Sequence, residues 1–404
     1  IDKKTDSKED GGFGFAIKNL DYSGFDGYLA GHTKEKVSRR FLGNVLLTGV
    51  TGYLGIHILV ELLRNPELCG KIICLSRPKK TLTALKRVKS SLFYYAEQDF
   101  SESYGEKWLV MEGDITAPDL FAEECPVPID TIINSAANVS HFSYGDHLEK
   151  INTEGVKNLI RFAKREHAVF CQISTISVAG MTAGGAKKEG FSESDFYIGQ
   201  EIHNKYIYSK YMAEYEMLRA AVEDGLKIKI MRIGNLQGRI SDGEFQMNLH
   251  SNAFARQFSS FIKMGAVPKS VYEGSVNFSP VDETAYHIIA LAATEEDTAV
   301  FHVYPPLELK FADLFQGAEK LGYSIDVLPD KEFFEQLKER KRTEEGREQM
   351  QGLMTNELSK GRRDIPVLQE ITNGYLEDLG AGWSAITEEY LRKYLSALSG
   401  MDLF

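Results

Sequence analysis

The feature that most constrains the fold is a glycine-rich turn between an apolar run and an amphipathic segment. The apolar run ends at Thr48 and predicts a buried parallel strand, and the turn, residues 49–55, follows directly. Apolar residues at helical spacing predict a helix over Tyr53–Arg64, which Asn65 and Pro66 end. A strand, a tight glycine turn and a helix bring backbone N–H groups and a helix N-terminus close to a pyrophosphate. The stretch therefore predicts a dinucleotide-binding site.

Each glycine of the turn has its own predicted task. Gly49 allows the tight turn, Gly52 lets the backbone approach the phosphates, and Gly55 lets the helix pack closely on the strand. The spacing Gly-x-x-Gly-x-x-Gly differs from the Gly-x-Gly-x-x-Gly of ordinary medium-chain dehydrogenases. The residues of the turn that we expect to contact a cofactor are Gly49, Thr51, Gly52, Tyr53, Leu54 and Gly55.

Composition narrows the class of protein. With 404 residues, 43% of them hydrophobic and 26% charged, the chain is typical of a soluble globular protein with one large domain and a smaller one. No apolar run is long enough to cross a bilayer, and the net charge of −11 argues against nucleic acid as the main partner. The cysteines lack metal-site spacing, so we expect buried free thiols, no metal and a cytoplasmic protein. They are Cys69, Cys74, Cys125 and Cys171.

The order of apolar runs predicts an α/β fold, a Rossmann-type doubly wound parallel sheet with a smaller, mostly helical C-terminal domain. Residues 1–40 are interpreted as a leader or linker that packs partly through Phe13, Phe15, Tyr22, Phe25 and Tyr28, and its presence suggests a domain cut from a longer chain. Residues 41–304 form the predicted dinucleotide-binding domain, with substrate-side insertions around 236–278. After two prolines at 305–306 the character changes, and residues 305–404 form the predicted helical domain.

The end of the second predicted strand, 71–76, indicates the type of cofactor. NAD-binding folds usually carry Asp or Glu here for the ribose 2′-hydroxyl, whereas Arg accommodates a 2′-phosphate. Here Arg77 follows the strand, and Arg87 lies on the next predicted helix. The pair predicts NADPH, although a solvated basic surface would leave the same pattern.

The ends of three more predicted strands supply further candidates for cofactor contacts. Asp114 follows the third strand, where its carboxylate could accept from the adenine amino group or could cap the next turn. Small residues follow the fourth strand and would let the backbone pass close to the cofactor. Asn152 is interpreted as the N-cap of the following helix. The remaining candidates are Ile115, Ala136, Ala137, Asn138, Gly234, Asn235 and Leu236.

Three residues form a candidate catalytic group. Thr175 lies at the carboxyl end of the fifth strand, while Tyr206 and Lys210 are four apart and share one face of a predicted helix. A carbonyl that accepts a hydride develops an oxyanion, which needs a proton or a hydrogen-bond donor. Tyr206 could supply the proton if the ammonium of Lys210 lowers its pKa from about 10. Thr175 would add a second hydrogen bond, and Lys210 would also reach the ribose hydroxyls of the cofactor.

With these residues assembled, the chain resembles the extended short-chain dehydrogenase/reductase family. More narrowly, it resembles the terminal thioester reductase domains of non-ribosomal peptide synthetases and the related carboxylic acid and α-aminoadipate reductases. The resemblance covers residues 41–404. The stretches that carry it, in order, are 48–55, 75–77, 173–178, 206–210, 232–238, 279–282 and 380–387.

The resemblance implies a reaction. An acyl or peptidyl thioester on the phosphopantetheine arm of a carrier protein, expected in cis, would be reduced by NADPH to an aldehyde or onward to the alcohol. Thr175 and Tyr206 would stabilise the oxyanion and Tyr206 would protonate it, while the C-terminal domain would form the acyl channel and help to dock the carrier. Two alternatives stay open: a nucleotide-sugar epimerase or dehydratase of the same family, and a non-catalytic NADPH-binding regulator.

Overall fold

The computed structural model describes residues 17–30, 37–96, 98–120, 125–138, 147–182, 188–249, 252–295, 299–350, 352–353, 363–401 and 403–404. Its α-helices, in chain order, are α1 (Phe25–Ala30), α2 (Tyr53–Arg64), α3 (Ala84–Tyr95), α4 (Gly155–Glu166), α5 (Lys205–Asp224), α6 (Ala253–Met264), α7 (Lys269–Tyr272), α8 (Val281–Ala292), α9 (Phe311–Lys320), α10 (Asp330–Arg340), α11 (Glu344–Gln349), α12 (Glu370–Asp378) and α13 (Glu388–Gly400). A short helical turn, His147–Glu149, and a π-helical turn, Lys150–Glu154, precede α4.

The strands are mostly short, and the longer ones belong to one sheet. They are β1 (Val45–Thr48), β2 (Ile72–Ser76), β3 (Trp108–Glu112), β4 (Thr131–Asn134), β5 (Val169–Thr175), β6 (Met181–Thr182), β7 (Ile228–Ile233), β8 (Leu236–Gln237), β9 (Ala266–Pro268), β10 (Ser275–Val276), β11 (Ser279–Pro280), β12 (Val300–Val303), β13 (Leu309–Lys310), β14 (Asp326–Leu328) and β15 (Arg363–Asp364).

A seven-stranded parallel sheet organises the site. Its strand order is β12-β7-β5-β4-β1-β2-β3, with Thr48 of β1 opposite Leu75 on one side and Asn134 on the other. The chain leaves β1 towards β2 and β3, and later returns to build β4, β5, β7 and β12 on the other side of β1. Parallel sheets of this kind bind ligands at the carboxyl ends of the strands, where the order reverses. The predicted fold class is confirmed.

Both faces of the sheet are covered, which is why its strands read as continuous apolar runs. Every residue of β1, β2 and β4 is buried. Helices α4 and α5 pack on one face with a cluster that includes Leu46, Phe170 and Ile230 from the strands and Leu159 and Met217 from the helices. Helices α2 and α3 pack against β1, β2 and β3.

The chain forms two compact units, and both are discontinuous in sequence. Unit 1 comprises Ile1–Gly234, Thr284–Val303 and Arg362–Gly382, and unit 2 comprises Asn235–Glu283, Tyr304–Gly361 and Trp383–Phe404. One change of unit, between residues 303 and 304, lies one residue before the predicted domain boundary. Two segments differ from the prediction: 235–283 belongs to unit 2, and 362–382 belongs to unit 1.

The second difference has a structural cause. Segment 362–382 contains α12, and that helix packs against β12 of the unit 1 sheet. The Thr372 hydroxyl accepts from the backbone N–H of His302 at 2.8 Å, and the Tyr375 ring meets the ring of Phe301 edge-on at 5.3 Å. Both contacts fasten α12 to β12, so this segment packs with the sheet.

An aromatic core holds unit 2 together. The rings of Phe258 and Phe315 stack at 5.4 Å, and Phe261 meets Phe315 edge-on at 5.9 Å. Tyr394 of α13 meets Phe278 at 5.1 Å, and its hydroxyl donates to the Gln237 side chain at 2.7 Å. These contacts explain why segment 235–283 joins the C-terminal helices.

The segment that precedes the sheet packs on helix α5. Phe25 of α1 is buried, and the Tyr22 ring stacks on Tyr197 at 4.7 Å. The Tyr211 hydroxyl on α5 donates to the Tyr22 hydroxyl at 2.9 Å. The predicted aromatic packing of this segment is confirmed for Tyr22, Phe25 and Tyr28; Phe13 and Phe15, which were predicted to pack as well, lie outside the described residues.

The cysteines agree with the prediction of free thiols. Cys69, Cys74 and Cys171 are buried and Cys125 is half-buried, and none forms a disulfide. Within the ranges that the structure describes, no helix is both long enough and apolar enough to span a bilayer.

Candidate active site

The glycine turn after β1 has the geometry that its sequence predicts. Gly49 has φ +68°, and a Cβ atom there would lie 2.4 Å from the backbone nitrogen of Ala136. The Gly52 N–H donates to the Gly49 carbonyl at 2.8 Å and closes the turn. A Cβ on Gly55 would lie 2.2 Å from the Gly49 oxygen, so only glycine lets α2 start this close to the turn. The predicted task of Gly49 is confirmed. Gly55 permits a close approach to the turn and to Ser135, its predicted packing on the strand stays a prediction, and so does the task of Gly52.

The residues between the glycines open helix α2. Its first residue is Tyr53, as predicted, and Leu54 is buried in the first turn. The Gly52 carbonyl accepts from the N–H of Ile56 at 3.0 Å, while the first N–H groups of the helix have no side-chain cap. A helix N-terminus without a side-chain cap is suited to an anionic ligand.

Two arginines lie together beside this turn. The Arg87 guanidinium on α3 donates through Nη1 to the backbone carbonyl of Arg77 and through Nη2 to the Thr51 hydroxyl at 2.9 Å. Arg77 binds the Asp114 carboxylate at 3.0 Å and is more than half exposed. Burial and the neighbouring charge of Arg77 lower the pKa of Arg87. Two cations at the ends of β2 and the glycine turn form a site suited to a phosphate group.

Asp114 caps a turn, which is one of the two roles predicted for it. Its Oδ1 accepts from the backbone N–H and the hydroxyl of Thr116, both at 2.9 Å, and its Oδ2 faces Arg77. The next residue, Ile115, is buried in the core, and its carbonyl accepts from the Asn158 side chain at 2.7 Å. Contacts of Asp114 and Ile115 with a cofactor stay predictions.

A relay of buried side chains crosses the sheet at the carboxyl ends of the strands. Thr48 donates to the Asn134 amide oxygen, Asn134 donates to Gln172 at 2.7 Å, and Gln172 donates to the Ile173 carbonyl at 2.8 Å. The backbone N–H of Ala136 also donates to the Asn134 side chain at 3.2 Å. The relay fixes the loop after β4, where Ala136, Ala137 and Asn138 are half-buried.

Asn152 is not the N-cap that the sequence suggests. It lies inside the π-helical turn, is 2% exposed, and its side chain binds the backbone of Asn138, accepting from N–H at 2.8 Å and donating to C=O at 3.0 Å. Its amide also donates to the Ser209 hydroxyl at 2.9 Å, and Ser209 donates to the Tyr206 carbonyl at 2.7 Å. Asn152 therefore ties the loop after β4 to helix α5.

Thr175, Tyr206 and Lys210 belong to two elements that meet at the carboxyl edge of the sheet. Lys210 is 4% exposed, and its ammonium donates to the Ile173 carbonyl at 2.8 Å, two residues before Thr175. Tyr206 is half-buried one turn earlier on the same face of α5, after Asn204 as N-cap. The Thr175 hydroxyl accepts from the Ser177 N–H at 3.2 Å. The structure thus brings the predicted group to one edge, and its catalytic role stays a prediction.

The predicted lowering of the Tyr206 pKa is wrong for the protein as it stands. Burial raises the pKa of Tyr206 to about 12, and burial lowers the pKa of Lys210 to about 8 against the opposing influence of Glu214. The physical reason is burial, which disfavours the charged phenolate, while the Lys210 ammonium donates to the Ile173 carbonyl. Tyr206 is therefore protonated at neutral pH, but its raised pKa makes it a weaker acid than an unperturbed tyrosine.

The last three candidates follow β7. The Gly234 N–H donates to the Val303 carbonyl at 3.4 Å within unit 1. Within unit 2, the Asn235 N–H donates to the Asn277 side chain at 2.9 Å, and Leu236 pairs with Ser279. Their contacts with a cofactor stay predictions. In the described part of the chain, no group of three or more His, Cys, Asp and Glu side chains could hold a metal ion.

Comparison with known proteins places the chain in a family. Residues 47–288 match the model of an NAD-binding family described as "Male sterility protein", and this is more than half of the chain. The chain belongs to this NAD-binding family. The members of this family share a domain that binds a nicotinamide cofactor, and the glycine turn of this chain agrees with such a site.

Individual relatives of the NAD-binding family are more informative. A thiolation-reductase di-domain from an archaeal non-ribosomal peptide synthetase is 35% identical, with a TM-score of 0.88 over 96% of this chain and 83% of that one. The L-2-aminoadipate reductase large subunit of Candida glabrata is 27% identical over 70% of this chain, and an isonitrile lipopeptide synthase of Streptomyces coeruleorubidus is 25% identical over 70%. The chain spans 22% and 19%, respectively, of those two proteins. The predicted resemblance to such reductase domains is confirmed.

Sequence reasoning missed a buried ion pair behind the predicted catalytic group. Glu214 lies one turn after Lys210 on α5 and pairs with Arg232 of β7 at 2.8 Å, and both side chains are fully buried. A signal for it was present in the sequence, since an arginine in the middle of an apolar strand must find a partner.

Proposed function

We propose that the chain is an NADPH-dependent reductase that releases an acyl or peptidyl group from a carrier protein as an aldehyde. The observation that carries the proposal is the meeting of β5 and α5, where Lys210 binds the carbonyl of Ile173 and brings Thr175 and Tyr206 to the same edge of the sheet. The relatives that are named as reductases support an oxidoreductase on this fold.

The choice of NADPH rests on the pair of arginines. Arg77 and Arg87 are adjacent, and Arg87 also binds Thr51 of the glycine turn. A 2′-phosphate would bring negative charge beside two cations that have, among the residues that the structure describes, one carboxylate partner between them, Asp114 on Arg77, whereas a 2′-hydroxyl would bring none. The glycine turn and the start of α2 would hold the pyrophosphate through backbone N–H groups.

The chain's own residues would act on the thioester carbonyl as follows. When bound, the reduced nicotinamide supplies a hydride. The Thr175 hydroxyl donates a hydrogen bond to the developing oxyanion. Tyr206 gives its phenolic proton to that oxygen as the thioester becomes a hemithioacetal, whose C–S bond then breaks to release the aldehyde and the carrier thiol. With the substrate bound, the Lys210 ammonium would turn from the Ile173 carbonyl towards Tyr206, one turn away, and stabilise the phenolate that Tyr206 leaves behind.

The carrier is proposed from the relatives. The archaeal relative is a thiolation-reductase di-domain, and we propose that a thiolation domain in cis presents the phosphopantetheine thioester to this chain. We propose that unit 2 takes part in recognising the acyl group and the carrier. Three buried free thiols support a cytoplasmic location.

The test is an absorbance assay of NADPH oxidation with a synthetic pantetheine thioester, followed by mass spectrometry of the product. We expect oxidation of NADPH in preference to NADH and formation of an aldehyde. Conversion of a nucleotide sugar in place of the thioester would make the chain an epimerase or dehydratase. Binding of NADPH without oxidation by either substrate would make it a regulator.

A further inference from the structure

The carboxylate of Glu214 is fully buried, and it accepts hydrogen bonds from side chains on two neighbouring strands, β5 and β7. It accepts from the Ser174 hydroxyl on β5, and from Arg232 on β7 through Nε at 3.0 Å and Nη2 at 2.8 Å. A buried carboxylate is costly unless it is paired and hydrogen-bonded in this way. Glu214 therefore depends on the groups that bind it, and one of them, Ser174, directly precedes Thr175 at the end of β5.

Arg232 is held as firmly as its partner. Its Nη1 donates to the Asp195 carbonyl and to Nε2 of His302, both at 3.1 Å, and its guanidinium lies over the Phe191 ring at 4.7 Å. The His302 ring is neutral, because Nδ1 faces the Leu368 carbonyl and must carry the proton. Burial and the charge of Arg232 lower the pKa of His302 to about 3. The charge of Arg232 is therefore balanced by Glu214.

Helix α5 and strand β5 are clasped by two side chains from one helix face. Lys210 binds the Ile173 carbonyl, and one turn later Glu214 accepts from Ser174. These two bonds fix the consecutive residues that precede Thr175. Because Tyr206 lies one turn before Lys210, the same clasp fixes the catalytic tyrosine relative to the catalytic threonine.

Glu214 also supplies a negative charge that acts on Lys210. Burial alone would favour a neutral Lys210, and the carboxylate of Glu214 opposes this by raising the pKa of Lys210. Among the described groups that hydrogen-bond to this part of α5 from other elements, Arg232 carries a charge. The uncharged partners are the Ile173 carbonyl, Ser174, Asn152 and Thr153 of the π-helical turn, and Tyr22. The buried carboxyl group of Glu193 also interacts with Arg232.

We propose that Glu214, held by Arg232, is a positioning residue for the reduction: it fixes the end of β5 against α5 and supplies the countercharge to Lys210. The inference rests on the proposed function for its catalytic meaning. Its structural and electrostatic content can be tested without turnover.

The first measurement follows the titration of Lys210 by NMR of the intact chain labelled with ¹³C at lysine Cε. The signal of Lys210 is the one that disappears in Lys210→Arg. In Glu214→Gln, which keeps the shape of the side chain, we expect the titration midpoint of Lys210 to fall by about one to three pH units. The matched control is Glu216→Gln, which removes a nearly buried carboxylate of the same helix that pairs with Lys157 and Arg219, and it should leave the midpoint unchanged.

A second variant keeps the test valid if the unpaired Arg232 prevents folding of Glu214→Gln. The double variant Glu214→Gln with Arg232→Met removes both charges at similar volume, and buried pairs replaced in this way usually fold. We expect a shift of the Lys210 midpoint in the same direction but smaller, because the repulsion by Arg232 is lost too. An unchanged midpoint in the folded variants would overturn the proposal.

Turnover separates this inference from the proposed function. If the chain reduces thioesters, kcat of Glu214→Gln at pH 7 should fall about twofold for a midpoint shift of one unit and about ninetyfold for a shift of three, starting from a midpoint of about 8. The loss should recover as the pH is lowered, whereas a defect of folding alone would not recover. If kcat of a folded variant equals that of the unchanged chain at pH 7, the positioning role is refuted. If the unchanged chain has no thioester activity but the Lys210 midpoint moves, the proposed function fails and the electrostatic part of this inference stands.

Discussion

The closest backbone approach in the cofactor region yields a sharp prediction for Gly55→Ala. A Cβ atom at Gly55 would lie 2.2 Å from the Gly49 oxygen and 2.6 Å from the Ser135 hydroxyl. Ordinary van der Waals contact begins at about 3.4 Å, so the start of α2 must retreat by about 1 Å. The Gly49 atom belongs to the backbone and cannot rotate away.

The magnitude follows from two opposing effects. Overpacking against fixed atoms costs about 3 kcal/mol, and the better helix propensity of alanine returns about 1 kcal/mol. The net loss of about 2 kcal/mol in the free energy of unfolding corresponds to a decrease of roughly 2–4 °C in the melting temperature of a chain of 404 residues. Displacement of the helix N-terminus should also weaken the binding of NADPH and NADH alike, by about tenfold or more.

The chain offers a matched control in Gly27→Ala. Gly27 also lies in a helix, α1, but a Cβ atom there would have no heavy atom within 4 Å. The same substitution should therefore stabilise the protein by about 0.5 kcal/mol and leave cofactor binding unchanged. Thermal unfolding followed by circular dichroism and titration with the cofactor followed by nicotinamide fluorescence measure both effects.

The two variants together decide whether the argument is right. If Gly55→Ala melts at or above the temperature of the unchanged protein while Gly27→Ala is stabilised, close packing does not explain the glycine at position 55. If Gly55→Ala is destabilised but binds the cofactor normally, the turn and the helix N-terminus are not the pyrophosphate site.

The remaining predictions concern the proposed catalytic and binding residues. Tyr206→Phe should lower kcat for thioester-dependent NADPH oxidation by about 10²–10⁴-fold with cofactor binding retained, and unchanged turnover would remove Tyr206 from the mechanism. Arg77→Ala should weaken NADPH binding about tenfold with little change for NADH, and an equal loss for both would contradict the 2′-phosphate role. Because the pKa of Lys210 is lowered to about 8, kcat should fall as the pH rises through 8 and be constant just below it, which a pH profile measures. Asn152→Ala should lower the free energy of unfolding by about 2 kcal/mol, since it leaves the backbone of Asn138 without its buried partner; a melting temperature equal to that of the unchanged protein would refute this.

Features encoded by neighbouring residues could be predicted from the sequence. The helix after the glycine turn has the predicted bounds, Tyr53–Arg64, because its start, apolar face and end are all local signals. The positive φ of Gly49 belongs to the same stretch. The fold class followed from the order of such elements.

Features that depend on partners distant in sequence could not be predicted in the same way. Asn152 looks like a helix cap, but its partners are Asn138 and Ser209. The pKa of Tyr206 is raised by burial in the folded chain, and Lys210 binds the Ile173 carbonyl of a distant strand. Helix α12 begins after Gln369 without a side-chain cap, and its place in unit 1 depends on contacts with β12.

The division of unit 1 into three segments has a consequence for synthesis of the protein. Its last segment, Arg362–Gly382, is made after most of unit 2, yet it supplies the partners of His302 and of the buried Glu193 carboxylate, which accepts from the Thr372 N–H at 2.8 Å. A nascent chain that has emerged from the ribosome only as far as β12 therefore exposes these groups to water. A gene fragment that ends at residue 304, where the sequence suggests a boundary, would encode all seven strands of the sheet but not helix α12, which packs against β12.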